Sequence, residues 1–497
     1  MTRAYEALET RFRRLNSLRE AAGMLNWDMS AMMPAGGAEA RSEQLAVLQV
    51  TCHELLSDPA LADLLAEAEA GGEALDPWRR ANLREMRRDW LHTTALPADL
   101  VEALSRARNR CEMIWRQARP ESDFAAVLPT MQALLDLVRE SAAAKSALLG
   151  CTPYDALLDE FEPGGTAARI DVVFDHLAKF LPDFLGRVLE RQAAAPRPLA
   201  PEGPFPIAAQ EALARRLMAA VGFDFTHGRL DTSLHPFCGG VPDDVRITTR
   251  YDEGDFAKAL MGVLHETGHA LYERGLPSEW RAQPVGAARG MAAHESQSLL
   301  IEMQACRGAE FVAYLAPLAR EAFAGDGPAW AADNLQRMYN QVRPGFIRVD
   351  ADEVTYPAHV ILRYRLEKQI IAGDLALADL PAAWNAGMKE LLGIVPLDDG
   401  DGCLQDIHWF DGAWGYFPTY TLGAIAAAQF FAAAKAAAPE IPAAIGRGDF
   451  APLIGWLRQN VHAWGSFYST DELLEQATGS PLDPKAFEVH LTDRYLS

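Results

Sequence analysis

Apolar residues return every three or four positions along most of this chain, and that period commits it to helices. Residues 4–25 show the pattern, with Tyr5, Leu8, Phe12, Leu15 and Leu18 on one face and charges between them. The same period predicts helices over roughly 38–70, 76–93, 98–118, 123–149 and 168–192. Pro34, Pro59, Pro77, Pro97, Pro129 and Pro163 separate these segments or stand near their starts. Five prolines between Ala195 and Pro206 mark the best linker. Beyond it, glycines crowd residues 222–251, and Val245, Ile247, Thr249 and Tyr251 alternate with polar residues as in a short strand. Helical period resumes over about 255–274, 287–323, 328–341, 357–372, 382–392, 418–436, 450–463 and 470–478. Gly393 to Gly415 reads as a structured loop.

One of these helices carries chemistry. Leu264-His265-Glu266-Thr267-Gly268-His269 contains H-E-x-x-H, for which a chain of this composition has a chance expectation of about 0.02. One turn apart on one face, His265 and His269 can converge on a Zn²⁺ at about 2.0–2.1 Å. Glu266 lies roughly 100° round the helix, where it reaches an attacking water without being a ligand. The competing reading is an amphipathic helix with two exposed histidines. A third ligand is needed. The metzincin extension would put Gly at 272 and His at 275, but these are Tyr272 and Gly275. A glutamate from a second helix is the other common solution. His294-Glu295-Ser296-Gln297 opens such a helix; Glu295 is the first candidate and Glu302, on the same face, the alternative.

Composition removes other classes. Lys and Arg number 46 against 68 Asp and Glu, a formal charge of −22, so the chain lacks the cationic surplus that nucleic acid or anionic lipid demands. Hydrophobic residues at 49% exclude low-hydrophobicity disorder. The six cysteines form no CxxC and fit reduced, buried thiols. The N-terminal residues have no apolar signal core, and no uncharged run reaches the ~18 residues of a membrane span. The longest apolar stretch, 421–434, reads as a buried Ala-rich helix. A soluble cytoplasmic protein is expected.

Several ordered motifs together resemble the carboxypeptidase Taq family, the M32 zinc metallocarboxypeptidases. They are His235-Pro236-Phe237, Asp244-Val245-Arg246-Ile247-Thr248, the H-E-x-x-H segment, His294-Glu295-Ser296-Gln297, Ile347-Arg348-Val349-Asp350-Ala351-Asp352, and Gly402-Cys403-Leu404-Gln405-Asp406-Ile407-His408-Trp409. Leu25 to Pro34 and Gly415 to Gly423 also look like this family. The resemblance implies a mainly α, single metallopeptidase body over 1–497. It would have a helical part over about 1–195, a motif-bearing part over about 205–497, a deep groove, and a small antiparallel β element beside the H-E-x-x-H helix. It implies a homodimer that removes C-terminal residues from peptides with broad specificity, using Zn²⁺ or Co²⁺. Carried over by position, His265, His269 and Glu295 would be ligands and Glu266 the general base.

The remaining motifs leave alternatives open. A free C-terminal carboxylate calls for an arginine fork, and Arg348 and Arg246 are the candidates. Asp350 and Asp352 offer Arg348 an internal ion pair instead, and Asp244 does so for Arg246. Arg246 sits on the predicted strand, where substrate can add as a further strand. His408 and Tyr420 are candidate oxyanion donors, with Tyr416 a rival to Tyr420. His235 either touches substrate or braces its loop. Asp352 and Asp406 are candidates to orient a ligand histidine. The rival functions are an oligoendopeptidase of related helical fold and a non-catalytic peptide-binding protein.

Overall fold

The expected helices form, because each apolar stripe finds a face to cover. The computed structural model describes residues 3–497, which carry twenty α-helices and one three-stranded sheet. The period over 38–70 divides at Pro59 into two helices, with Asp58 capping the second through Ala60 N. The period over 287–323 is not one helix. It runs as an α-helix over Met291–Leu299, widens into a π-helix over Leu300–Cys306, and restarts as Ala309–Ala322. Helices over Pro153–Phe161, Ile207–Val221, Ile441–Ile445 and Pro484–Tyr495 were not expected from period alone. The Pro-rich stretch after Ala195 is extended and pinned to the body, since Leu199 exchanges two 2.8 Å hydrogen bonds with Asn334.

The small sheet comprises β1 (Gly228–Thr232), β2 (Cys238–Val241) and β3 (Asp244–Thr249). Its order is β1-β3-β2, with β3 parallel to β1 and antiparallel to β2. The sheet is therefore mixed rather than purely antiparallel. Val245 and Ile247 turn into the core below, which fixes the register of the centre strand.

Two large apolar cores lie on either side of the candidate site. One gathers residues such as Phe174, Leu362, Trp384, Trp409 and Phe417. The other gathers Leu217, Ile247, Val263, Leu264, Phe311 and Phe430. The Pro418–Ala437 helix belongs to both, with Leu422 and Ile425 in the first core and Ala427 and Phe430 in the second. As expected, the Ala-rich stretch it carries is largely buried, and only its last two turns carry exposed residues. A third, smaller core packs the first helices through Tyr5, Leu8, Leu65 and Met86.

Candidate metal centre

The H-E-x-x-H residues lie in the middle of the Phe256–Gly275 helix. Asp255 starts that helix by accepting from the Ala257 and Lys258 amides at 3.0 and 3.2 Å. Phe256, Leu260, Val263, Leu264 and Leu271 bury its inner face, leaving His265, Glu266 and His269 to line a cleft of about 1240 Å³. That exceeds the roughly 300–1,000 Å³ of small-molecule pockets and suits an extended chain. Glu295 comes from the Met291–Leu299 helix, which passes close enough to put Gln297 O only 2.5 Å from a Cβ built on Gly268. Gly423 does the same on the other side, where a Cβ would meet Glu295 Cβ at 2.8 Å. Two glycines thus set the depth at which Glu295 sits.

Donor atoms of His265, His269 and Glu295 lie within 4.8 Å of one another. Glu295 Oε2 is 3.9 Å from His265 Nε2 and 3.5 Å from His269 Nε2. Ligands at about 2.0–2.1 Å in a tetrahedron stand about 3.4 Å apart, so the three fit a Zn²⁺-sized ion. The ring nitrogens facing away are already used. His265 Nδ1 donates to Glu302 Oε2 at 3.0 Å, and Arg307 Nη2 donates to Glu302 Oε1 at 2.8 Å. His269 Nδ1 lies 2.7 Å from His294 Nδ1, whose Nε2 is 2.8 Å from Glu273. A consistent proton placement has His269 donate to His294 and His294 donate to Glu273. With both rings neutral, as a bound metal would require, both Nε2 lone pairs then face the space beside Glu295.

Electrostatics favour a cation at this point. Burial opposes charge on His265, but Glu295, Glu302 and Glu266 outweigh it and raise its pKa to about 10. Burial, helped by His294, lowers His269 to about 4, so it is a neutral donor at pH 7. Burial works to raise Glu295, but His265 and His269 overcome it and hold the carboxylate at about 2. Glu266 is pushed up to about 7, first by burial.

The other candidates separate. Arg348 lines the cleft, almost wholly buried. Its Nε and Nη2 donate to Asp406 at 3.1 and 2.8 Å, its Nη1 to the Tyr356 hydroxyl at 2.9 Å, and its guanidinium lies 4.9 Å from the Tyr420 ring centre. Its ion-pair partner is therefore Asp406, not Asp350 or Asp352. Tyr416 and Tyr420 line the cleft, and His408 stands behind Tyr420 with Nε2 3.2 Å from its hydroxyl. Burial, with Arg348, lowers His408 to about 4 and keeps it neutral.

Arg246 and His235 are not among the cleft-lining residues. Arg246 is forked onto Asp244 and lies 4.5 Å from the Trp27 ring centre. Its strand, β3, is the centre strand with both edges paired, so no substrate strand can add there. His235 is exposed, while its neighbours Pro236 and Phe237 reach the cleft. Asp352 accepts from the amides of Arg343, Val354 and Thr355, and so ties down a turn rather than a ligand histidine.

Glu273 and His294 carried no assigned role from sequence. Glu273 was findable, since it follows His269 by one helical turn. No spacing signals Tyr356, which lines the cleft, or Arg363, which is buried behind it; both belong to the Tyr356–Ala372 helix.

The chain is similar to known proteins over its whole length. The family model for carboxypeptidase Taq (M32) metallopeptidase matches residues 7–495. Thermostable carboxypeptidase 1 of Thermus thermophilus is 38% identical, covering 99% of this chain and 98% of the relative. The solved structure of Trypanosoma cruzi metallocarboxypeptidase 1 superposes with a TM-score of 0.98 at 42% identity, covering 100% of both chains. The M32 carboxypeptidase from Deinococcus radiodurans R1 superposes with a TM-score of 0.92 at 34% identity, again over 100% of both.

Proposed function

The chain belongs to the carboxypeptidase Taq (M32) family and is a metal-dependent carboxypeptidase, and from that premise we propose how its residues divide the work. His265, His269 and Glu295 hold the metal, which we assign as Zn²⁺ with Co²⁺ as a substitute. The observation that carries this is the convergence of three donor atoms while both outward histidine nitrogens are already bonded. The bound ion supplies Lewis acidity, lowering the pKa of water and polarising the scissile carbonyl. Glu266 takes the proton from the attacking water and returns it to the leaving amine. Its pKa of about 7 suits both transfers. The Tyr420 hydroxyl donates to the developing oxyanion, and neutral His408 donates to the Tyr420 oxygen from behind.

Arg348 binds the peptide's C-terminal carboxylate. Of its five N–H donors, one on Nη1 and one on Nη2 remain after Asp406 and Tyr356 are served. Arg246 and His235 brace the sheet and its loop instead. We assign the whole of 1–497 to one catalytic body that is homodimeric, as the family resemblance implies, and place it in the cytoplasm on its composition. Six free cysteines are in keeping with a reducing compartment.

Mass spectrometry of a short peptide incubated with the Zn²⁺-reconstituted protein tests the division of roles. Wild-type protein should shorten the free acid stepwise from its C-terminus and leave the C-terminal amide uncut. Arg348→Met should erase most of that preference. An Arg348→Met enzyme that still discriminates acid from amide would remove Arg348 from the assignment.

A further inference from the structure

Arg348 presents a difficulty as a carboxylate clamp. A guanidinium already forked onto an aspartate is a neutral pair, and a neutral pair attracts an anion weakly. The answer lies one layer deeper. Asp406 is shared. Arg348 donates to Oδ1 at 2.8 Å, and Arg363 donates to Oδ2 from Nε at 2.7 Å, with its Nη2 in ion-pair contact at 2.6 Å. Arg363 is fully buried, and its Nη1 donates to His359 O at 2.8 Å. Its guanidinium lies 4.5 Å from the Trp384 ring centre and 5.4 Å from that of Phe417. It cannot reach substrate itself, since it does not line the cleft.

The charges add up simply. Two arginines share one carboxylate, and the cluster carries one net positive charge. Of the neighbouring titratable groups only Glu367 can offset it, and burial pushes that carboxyl up to about 7, so it stays protonated below that pH. His359 is lowered to about 3 and His408 to about 4, in both cases chiefly by burial, so both are neutral. Tyr356 and Tyr420 are raised by burial and stay protonated. Burial, with Arg348 alongside, lowers Arg363 only to about 10, so it stays charged at neutral pH.

We propose that Arg363 is a positioning residue for the carboxypeptidase reaction: by neutralising Asp406 from behind, it frees the positive charge of Arg348 for the substrate's C-terminal carboxylate. A chain with net charge −22 gives this local cation its importance, since an anionic substrate end meets repulsion nearly everywhere else. Asp406 then has one task, to fix the plane of the Arg348 fork, without also quenching its charge. This inference rests on the assignment of Arg348 as the clamp.

The test measures binding apart from turnover. In a Zn²⁺-loaded Glu266→Gln background at pH 6, where Glu367 is protonated, calorimetry gives Kd for an N-blocked tripeptide acid and for its C-terminal amide. Arg363→Met should weaken the acid about tenfold or more and leave the amide unchanged. Adding Asp406→Asn to Arg363→Met restores one net positive charge and should bring the acid back to within about threefold of the starting Kd. Equal weakening of acid and amide, no weakening, or no recovery in the double variant would overturn the proposal. Arg363→Lys keeps the charge and loses the fork. It should hold the acid affinity, and it decides the matter if the Met variant does not fold: a tenfold loss with Lys defeats the charge account. Arg348→Met separates the layers. If that variant keeps the acid-over-amide preference, the clamp assignment falls. If it loses the preference while Arg363→Met keeps it, only the role of Arg363 falls.

Discussion

Glu266 and Glu302 flank the same histidine and do opposite jobs. Glu302 is held ionised below its usual range: burial works to raise it, but Arg307 and His265 outweigh burial, and the carboxylate locks the His265 ring. Glu266, lifted to about 7, stays able to take and give a proton. Glu266→Gln should therefore bind metal as before and lose about 10²–10⁴ in kcat, checked by metal content and initial rates. Glu302→Gln should do the reverse. Metal affinity should fall about 10–100-fold in a chelator competition, while kcat at saturating metal falls much less. A third carboxylate, Glu367, is fully buried and accepts from Trp409 Nε1 and the Tyr154 hydroxyl, both at 2.8 Å. Burial pushes it up to about 7. Between the unfolded value near 4.3 and about 7, only the folded chain keeps this proton. Its contribution to stability is whole below that window and is lost as pH rises through it, about 4 kcal/mol in all. Glu367→Gln should remove that share of the slope, read as a smaller drop in urea midpoint between pH 5 and pH 8 than in wild type.

At the scale of elements, the site depends on how closely three helices approach. Gly268 and Gly423 let the Met291–Leu299 helix lie between the H-E-x-x-H helix and the Ala-rich helix. Alanine at either glycine should cost about 1–3 kcal/mol of stability by overpacking. Because Gly423 faces the Glu295 side chain itself, Gly423→Ala should also weaken metal binding, measurable in the same chelator competition. Sequence made part of this legible. The H-E-x-x-H spacing is a local property of one helix, and so is the burial of the 421–434 stretch. The π-helix was not legible, because Leu299, Leu300, Ile301, Ala305 and Cys306 all bury without disturbing an ordinary helical pattern. Nor was the pairing of Arg348 with Asp406, since 58 residues separate them and two nearer aspartates, Asp350 and Asp352, follow Arg348 directly. The alternation at 245–251 predicted a strand but said nothing about its neighbours, and the centre position of β3 is what removes Arg246 from substrate.

For the whole molecule, net charge sets the approach of substrate. Raising salt from about 0.01 to about 0.15 M shortens the screening length from roughly 30 to 8 Å. Long-range repulsion of an acidic peptide should then fade while the buried Arg348 contact persists, so kcat/KM for such peptides should rise with salt, in a stopped assay at fixed metal. Whether the chain was one body or several could not be read from period and prolines, because helices in one core and in two look alike along the sequence. The structure shows why this matters. His265 and His269 stand on a helix of one large core, Arg348 and His408 are packed on the other, and the Pro418–Ala437 helix spans both. Bending along that line would change the width of the cleft and the distance from ligands to clamp together. The width of the cleft and the spacing from ligands to clamp are thus set together by the one helix that the two cores share.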